Sequence, residues 1–235
     1  MSIKNMHYDF KMKFNKIDSQ NNRNLLVPEI DWLLNQAANL FVSIIAEPRL
    51  KKQLGFETNQ RTIDDIRAIV VSNDNNWLPV ASNSVALPID YWYFVKGNVR
   101  MTKGTCNRIK ARVHIKQHDD MFEESSFNNS SFEWREVNAL FYDEGLKFFT
   151  DGTFTINDFC INYIRKMTYM HNAEAFRIGG YKLPNGQILT GFSNCELPET
   201  THSEIVDIAV LLAAGQIQTS DYPLKMEKLN INQII

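Results

Sequence analysis

The chain has 235 residues, 44% hydrophobic and 22% charged, with a formal net charge of −2. These totals describe a globular protein able to bury a core, and they exclude a disordered polyelectrolyte or a molecule that binds nucleic acid through overall charge. Three cysteines (Cys106, Cys160 and Cys195), odd in number and far apart, exclude a disulfide framework and show no zinc spacing, as expected of a reducing cytoplasm.

The N-terminal stretch MSIKNMHYDFKMKF mixes charged and apolar residues without a continuous apolar core, so it does not read as a signal peptide. No apolar run approaches the roughly 20 residues that span a bilayer. Residues 1–25, rich in Asn and Lys, read as a flexible arm ordered by a partner. Residues 26–235 read as one α+β domain: a helical part over 26–72, a β-rich part over 87–192 and a C-terminal helix over 201–218.

Pro28 and Glu29 open the first expected helix, because proline suits the first turn and an acid suits the positive end of the helix dipole. Ile30, Leu33, Leu34, Ala37, Phe41, Ile44 and Ile45 then recur at helical spacing, and Pro48 limits the run. Gly55 marks a turn. Thr62 to Asp65 has capping spacing for a shorter helix carrying Ile63, Ile66, Ile69 and Val70. The polar stretch SNDNNWLPVASNSVALP has no clear period and reads as a long connection.

From Asp90 the composition favours strands. YWYFVKGNVRM is aromatic and β-branched. TCNRIKARVHIKQH alternates: Ile109, Ala111, Val113 and Ile115 share one face, while Arg108, Lys110, Arg112, His114 and Lys116 share the other. That pattern predicts a half-buried antiparallel strand. Turn signals at Asp143-Glu144-Gly145 and Asp151-Gly152 predict consecutive hairpins, CINYIRKMTYM continues as a strand, and Asn185-Gly186 predicts another turn. The expected whole is N-terminal helices, a central antiparallel β-meander and a C-terminal helix.

CELPETTHSEIVDIAV, from Cys195 to Val210, gathers a thiol, three Glu, a His and an Asp. A metal site on a helix places ligands at i and i+4 on one face; here Pro198 and the helix start interrupt any such pairing with His202. Thr201 and Glu204 instead have capping-box spacing, followed by the core stripe Ile205, Ile208, Ala209 and Leu212. Helix capping is therefore the expected role of Thr201 and Glu204. His118-Asp119-Asp120 and Asp64-Asp65 read as a polar strand end and early helix acids. Tyr91, Trp92, Tyr93 and Phe94 read as core or interface before base stacking, and Cys160 reads as a buried small residue. No Gly-rich phosphate loop and no nucleophile elbow occurs.

Charge is polarised along the chain. Residues 96–116 hold Lys96, Arg100, Lys103, Arg108, Lys110, Arg112 and Lys116 and no acid. Residues 117–151 hold nine acids, among them Asp119, Asp120, Glu123 and Glu124, against only Arg135 and Lys147. Either the two blocks pair within one copy, or they mate between copies and steer head-to-tail association. From Arg108 to Lys116 the strand would carry about 26 Å of cationic ribbon, suited to a phosphate backbone charged about every 1.7 Å. Such contact carries no sequence information.

LPIDYWYFVKGNVR, IKQHDDMF, GFETNQRTIDDIRAIV and above all LPETTHSEIVDIAVLLAAG resemble neck and tail structural proteins of tailed bacteriophages, closest to the ring proteins of crAss-like phages. The likeness runs from about residue 28 to residue 222. It implies a virion protein made in the host cytoplasm, forming a homo-oligomeric ring of twelve between portal and tail around packaged DNA. It implies no enzymatic activity, no cofactor, no metal and no membrane contact. Arg108, Lys110, Arg112 and Lys116 would face DNA or an acidic neighbour, with Asp119, Asp120, Glu123 and Glu124 as acidic partners. Two other readings stand beside it: a metal-dependent hydrolase using His118, Asp119 and His202, and a DNA-binding regulator using the basic strand.

Overall fold

A computed structural model describes residues 1–15, 25–46, 60–72, 77–116, 129–143, 145–176 and 179–217. The fold is mixed α/β and divides into two units: a helical unit of residues 1–69 and 167–235, and a sheet unit of residues 70–166 inserted between them in sequence.

In the helical unit, α1 (Ile3–Asn15) stands in the first part of the stretch expected to be a flexible arm over residues 1–25; residues 16–24 lie outside the described residues. Ile3, Met6, Phe10 and Phe14 are all buried, and their spacing of three and four residues makes one helical stripe among the lysines. That stripe packs toward α4 (Glu199–Ile217), which also receives α2 (Val27–Ala46). Lys13 Nζ bridges Asp9 on its own helix at 2.8 Å and Asp207 on α4 at 2.9 Å. In α2 the buried residues are Ile30, Asp31, Leu33, Leu34, Ala37, Ala38, Phe41, Val42 and Ile45. Its start is closed by Glu29, whose Oε2 accepts the Leu26 backbone N–H at 2.7 Å, the return bond of a capping box.

The short helix α3 (Gln60–Ile66) begins before Thr62 and passes through one 3-10 turn, Arg67–Ile69. Val70, expected on that helix, opens a strand instead. Strands β9 (Gly180–Lys182) and β10 (Ile188–Thr190) form the hairpin that Asn185-Gly186 predicts. Gly186 has φ of +90°, a conformation that favours glycine, and Asn185 Oδ1 accepts the Gln187 N–H at 3.0 Å.

The helix cap at Thr201 is corrected. α4 starts at Glu199, so Thr201 lies inside its first turn, buried, with Oγ1 donating to the Pro198 carbonyl at 2.9 Å. Glu199 supplies the first-turn acid. His202, also buried, donates Nε2–H to the Leu197 carbonyl at 2.8 Å. Burial holds its imidazole below the ordinary histidine range. On acidification the unfolded chain takes up this proton before the folded chain does, so stability falls as pH drops below the ordinary histidine pKa of about 6.5. The expected result is a melting temperature that declines from neutral to mildly acidic pH more steeply in the wild type than in His202→Gln, read by parallel thermal scans.

In the sheet unit, β1 (Val70–Ser72), β2 (Leu78–Pro79), β3 (Ser84–Ala86), β4 (Tyr91–Lys103), β5 (Cys106–Ile115), β6 (Glu136–Tyr142), β7 (Gly145–Phe149) and β8 (Thr155–Arg165) form one sheet. The spatial order is β1-β8-β4-β5-β6-β7-β3, with β2 also on β8. The antiparallel meander is therefore corrected on two counts. β5 and β6 run parallel, with Arg112 opposite Glu136 and Val113 opposite Val137. The turn at Asp151-Gly152 is real, with Gly152 at φ +80° and Asp151 Oδ1 accepting the Thr153 N–H at 2.8 Å, but it launches a crossover. β8 returns to the far side of the sheet between β1 and β4, so β7 and β8 are not a hairpin.

The expected β6–β7 hairpin does form, with Tyr142 opposite Gly145 and Asp143 at positive φ in its turn. Along β5 the expected alternation is clear over residues 110–113, where Ala111 and Val113 are buried and Lys110 and Arg112 exposed, while Ile109 and residues 114–116 are all half-buried. One sheet face gathers Val99, Met101, Ala111, Val113, Val137, Leu146, Phe148, Phe159 and Ile161 into the core. Among the described residues no helix is long and apolar enough to cross a membrane.

Candidate functional site

The cationic ribbon lies on the other face of this sheet. Antiparallel pairing sets Arg100 of β4 opposite Lys110 of β5, and Asn98 opposite Arg112. Residues directly opposite one another point to the same face, so the register joins cations from two strands that lie apart in the sequence. Trp77, from the chain just before β2, caps the pair: the Arg100 guanidinium stands 3.9 Å from the indole centroid and Lys110 Nζ 6.0 Å. Cation–π contact of this kind holds a guanidinium in place while leaving it charged.

The chain neutralises part of this face itself. Asp158 approaches Arg100 at 3.6 Å, Glu133 holds Lys103 at 2.7 Å and the Glu136 carboxylate lies 3.5 Å from His114. The Lys103–Glu133 hydrogen bond raises the lysine pKa and lowers that of the carboxyl. Glu133 and Glu136 belong to the acidic block, so the two blocks are not wholly reserved for neighbouring copies. Lys96, Lys110, Arg112 and Lys116 have no ion pair among the described residues, and Lys96, Lys110 and Arg112 are exposed. Arg108 belongs to β5, but its side chain is not among those described. Asp119, Asp120, Glu123 and Glu124 lie outside the described residues, as does His118.

The aromatic run Tyr91–Phe94 serves packing at two positions. Tyr91 and Phe94 lie against the sheet core, and burial pushes the Tyr91 hydroxyl up to about 12. Tyr163, its ring 6.0 Å from Tyr91, donates to Asp90 at 2.9 Å. The aromatic on the cationic face is instead Trp77, from the polar stretch that reads as a connection. Its only signal in the sequence is a lone indole among polar residues.

Chemistry is sparse elsewhere. Among the described residues no three His, Cys, Asp or Glu side chains are grouped to hold a metal. His202 is buried with Nε2 engaged, and Cys160 is buried and forms no disulfide. The helical unit holds one node that sequence reasoning missed. Asp31, fully buried, accepts from Tyr181 Oη at 2.7 Å and from the Asn172 N–H at 3.0 Å, with His7 Nε2 2.7 Å away. Asn35, one turn on, exchanges two bonds with the Met170 backbone, at 2.7 and 3.0 Å. Burial, then the Asp31 carboxylate, drives the Tyr181 hydroxyl far above the phenol range. This is a carboxylate engaged by donors on three segments: it ties α1, the 169–172 segment and β9 to α2, and it is placed to hold structure.

Compared with known proteins, the chain matches no family model and no curated sequence.

Proposed function

We propose that the chain is a structural subunit of a tailed-phage neck or tail, assembling as a ring around the DNA path with the β4–β5 face toward the phosphate backbone. The observation that carries this reading is the exposed pair Lys110 and Arg112, without an ion pair among the described residues, beside an Arg100 fixed on Trp77. A strand face bearing cations about every 6.8 Å along β5, with Arg100 and Lys96 beside it on β4, meets phosphates without reaching into a groove, as passage of DNA demands. The resemblance of LPETTHSEIVDIAVLLAAG and LPIDYWYFVKGNVR to phage ring proteins supplies the setting, a twelve-membered ring next to the portal or an adjacent tail protein.

Electron micrographs of the purified protein, alone and with the portal-side partner, test it. Closed rings with a central channel are the expected result. Particles that never close, with or without the partner, would refute the ring. Sequence-selective retention of one DNA against competitor would favour the regulator instead.

A further inference from the structure

We propose that copies of this chain join head to tail by inserting Trp134 of one copy into the cavity between β3 and β7 of the next. The contact deepens the ring reading and rests on it for closure, but the docking itself stands on two features at opposite ends of β6.

The first is a projecting indole. Residues 131–136 form a tight turn: the Ser131 N–H bonds the Glu136 carbonyl at 2.9 Å, the Glu136 N–H returns to Ser131 at 3.1 Å, and Arg135 adopts a positive φ of 56°. Phe132, 6.1 Å from Phe154, pins the turn to the core. Trp134 is left 81% exposed on this closed turn. A large apolar side chain held in a bonded turn is already ordered for binding, and tryptophan and arginine dominate interface anchors.

The second is a cavity of about 420 Å³, lined by Val85, Ala86, Tyr142, Asp143, Leu146 and Lys147. Val85 and Leu146 lie at its base with their side chains turned into the core, so the surface open to an indole is Ala86, the exposed Tyr142 ring and the Lys147 stem, with Ser82 and Ser84 at the edge. Lys147 Nζ stands 5.8 Å from the Tyr142 ring centroid, so an entering indole would meet a cation and a ring. β3 approaches β7 closely here because Gly145 lacks a Cβ, which would lie 2.4 Å from the Val85 carbonyl oxygen.

Charge fits the same docking. Arg135 beside the indole and Asp143 at the cavity rim have no ion pair among the described residues, and the docking would bring them together. A copy cannot fill its own cavity: Trp134 sits in the turn before β6 and Tyr142 ends that strand, and Glu136 to Tyr142 alone spans about 20 Å. Donor and receptor on different surfaces make a heterologous contact, which closes into a ring when the rotation allows.

The test pairs two variants. Trp134→Ala removes the donor; Ala86→Phe, at an exposed position of β3, fills the receptor. Light scattering after size exclusion should show each alone self-associating about thirtyfold or more weakly than wild type. Mixed, they should form a heterodimer and nothing larger, because the copy with the filled cavity still offers its indole and the copy without the indole still offers an open cavity. That complementation excludes misfolding as the cause. Undiminished assembly of Trp134→Ala overturns the contact while leaving the ring untouched. Loss in Trp134→Ala without loss in Ala86→Phe also overturns it, since the indole would then dock elsewhere. A wild-type chain that stays monomeric at its highest soluble concentration overturns it too. Intact docking with open chains in micrographs would instead keep the contact and sink the ring.

Discussion

Asp31→Ala is expected to destabilise the helical unit by about 3–5 kcal/mol, the range for breaking a buried, hydrogen-bonded charge. The carboxylate is fully buried and engages Tyr181, the Asn172 backbone and His7 within 3.0 Å. Its removal strands the buried His7 and Asn172 N–H and takes a partner from the half-buried Tyr181 hydroxyl. Native stability is only about 5–15 kcal/mol, so this change removes a large share of it. The helices α1 to α4 all lie in the helical unit, so the helical circular dichroism band in a urea titration reports this unit. Tyr181→Phe keeps the ring and deletes one bond to the carboxylate at 2.7 Å, and should cost about 1.5–3 kcal/mol. Equal midpoints for wild type and Asp31→Ala would show that the node contributes nothing.

The second large effect is electrostatic. Replacing Lys110 and Arg112 by Ala should weaken binding to non-specific duplex DNA roughly fifty- to a hundred-fold near 0.1 M salt, and should lower the slope of log K against log salt by about 0.9 for each phosphate no longer neutralised. Both side chains are exposed, so the fold should survive. Trp77→Ala should cost less, because the Arg100 guanidinium at 3.9 Å covers one face of the indole and the tryptophan acts through the arginine. An unchanged slope in the double variant would remove DNA from the role of this face. Fluorescence anisotropy across a salt series gives both quantities.

The sequence disclosed those elements whose signal is local. β5 was readable because one side of a strand is wet and the other dry, and the hairpins at Asp143 and Asn185-Gly186 because their turns need special backbone angles. α1 was hidden by composition: its lysines and asparagines dominate, although Ile3, Met6, Phe10 and Phe14 carry the stripe. The parallel β5–β6 pair and the return of β8 to β4 depend on long crossovers, which no window of neighbouring residues encodes. Asp31 escaped notice because an acid in the first turns of a helix ordinarily answers the dipole, and only the partners from residues 172 and 181 reveal it as buried. The Arg100–Lys110–Trp77 grouping was half visible: the cations were apparent, but the strand register and the indole came from the fold.

The interleaving of the two units has a consequence on the ribosome. The sheet unit is one continuous stretch, residues 70–166, whereas the helical unit needs both ends of the chain. During synthesis α1 and α2 emerge before α4 and meet it only after residue 217 is made, a delay on the order of tens of seconds at elongation rates of about 5–20 residues per second. Through that interval their greasy flanks are bare and in want of a chaperone, while the sheet can close as soon as β8 is translated. A nascent chain stalled near residue 170 should therefore carry a protease-resistant sheet and protease-sensitive leading helices.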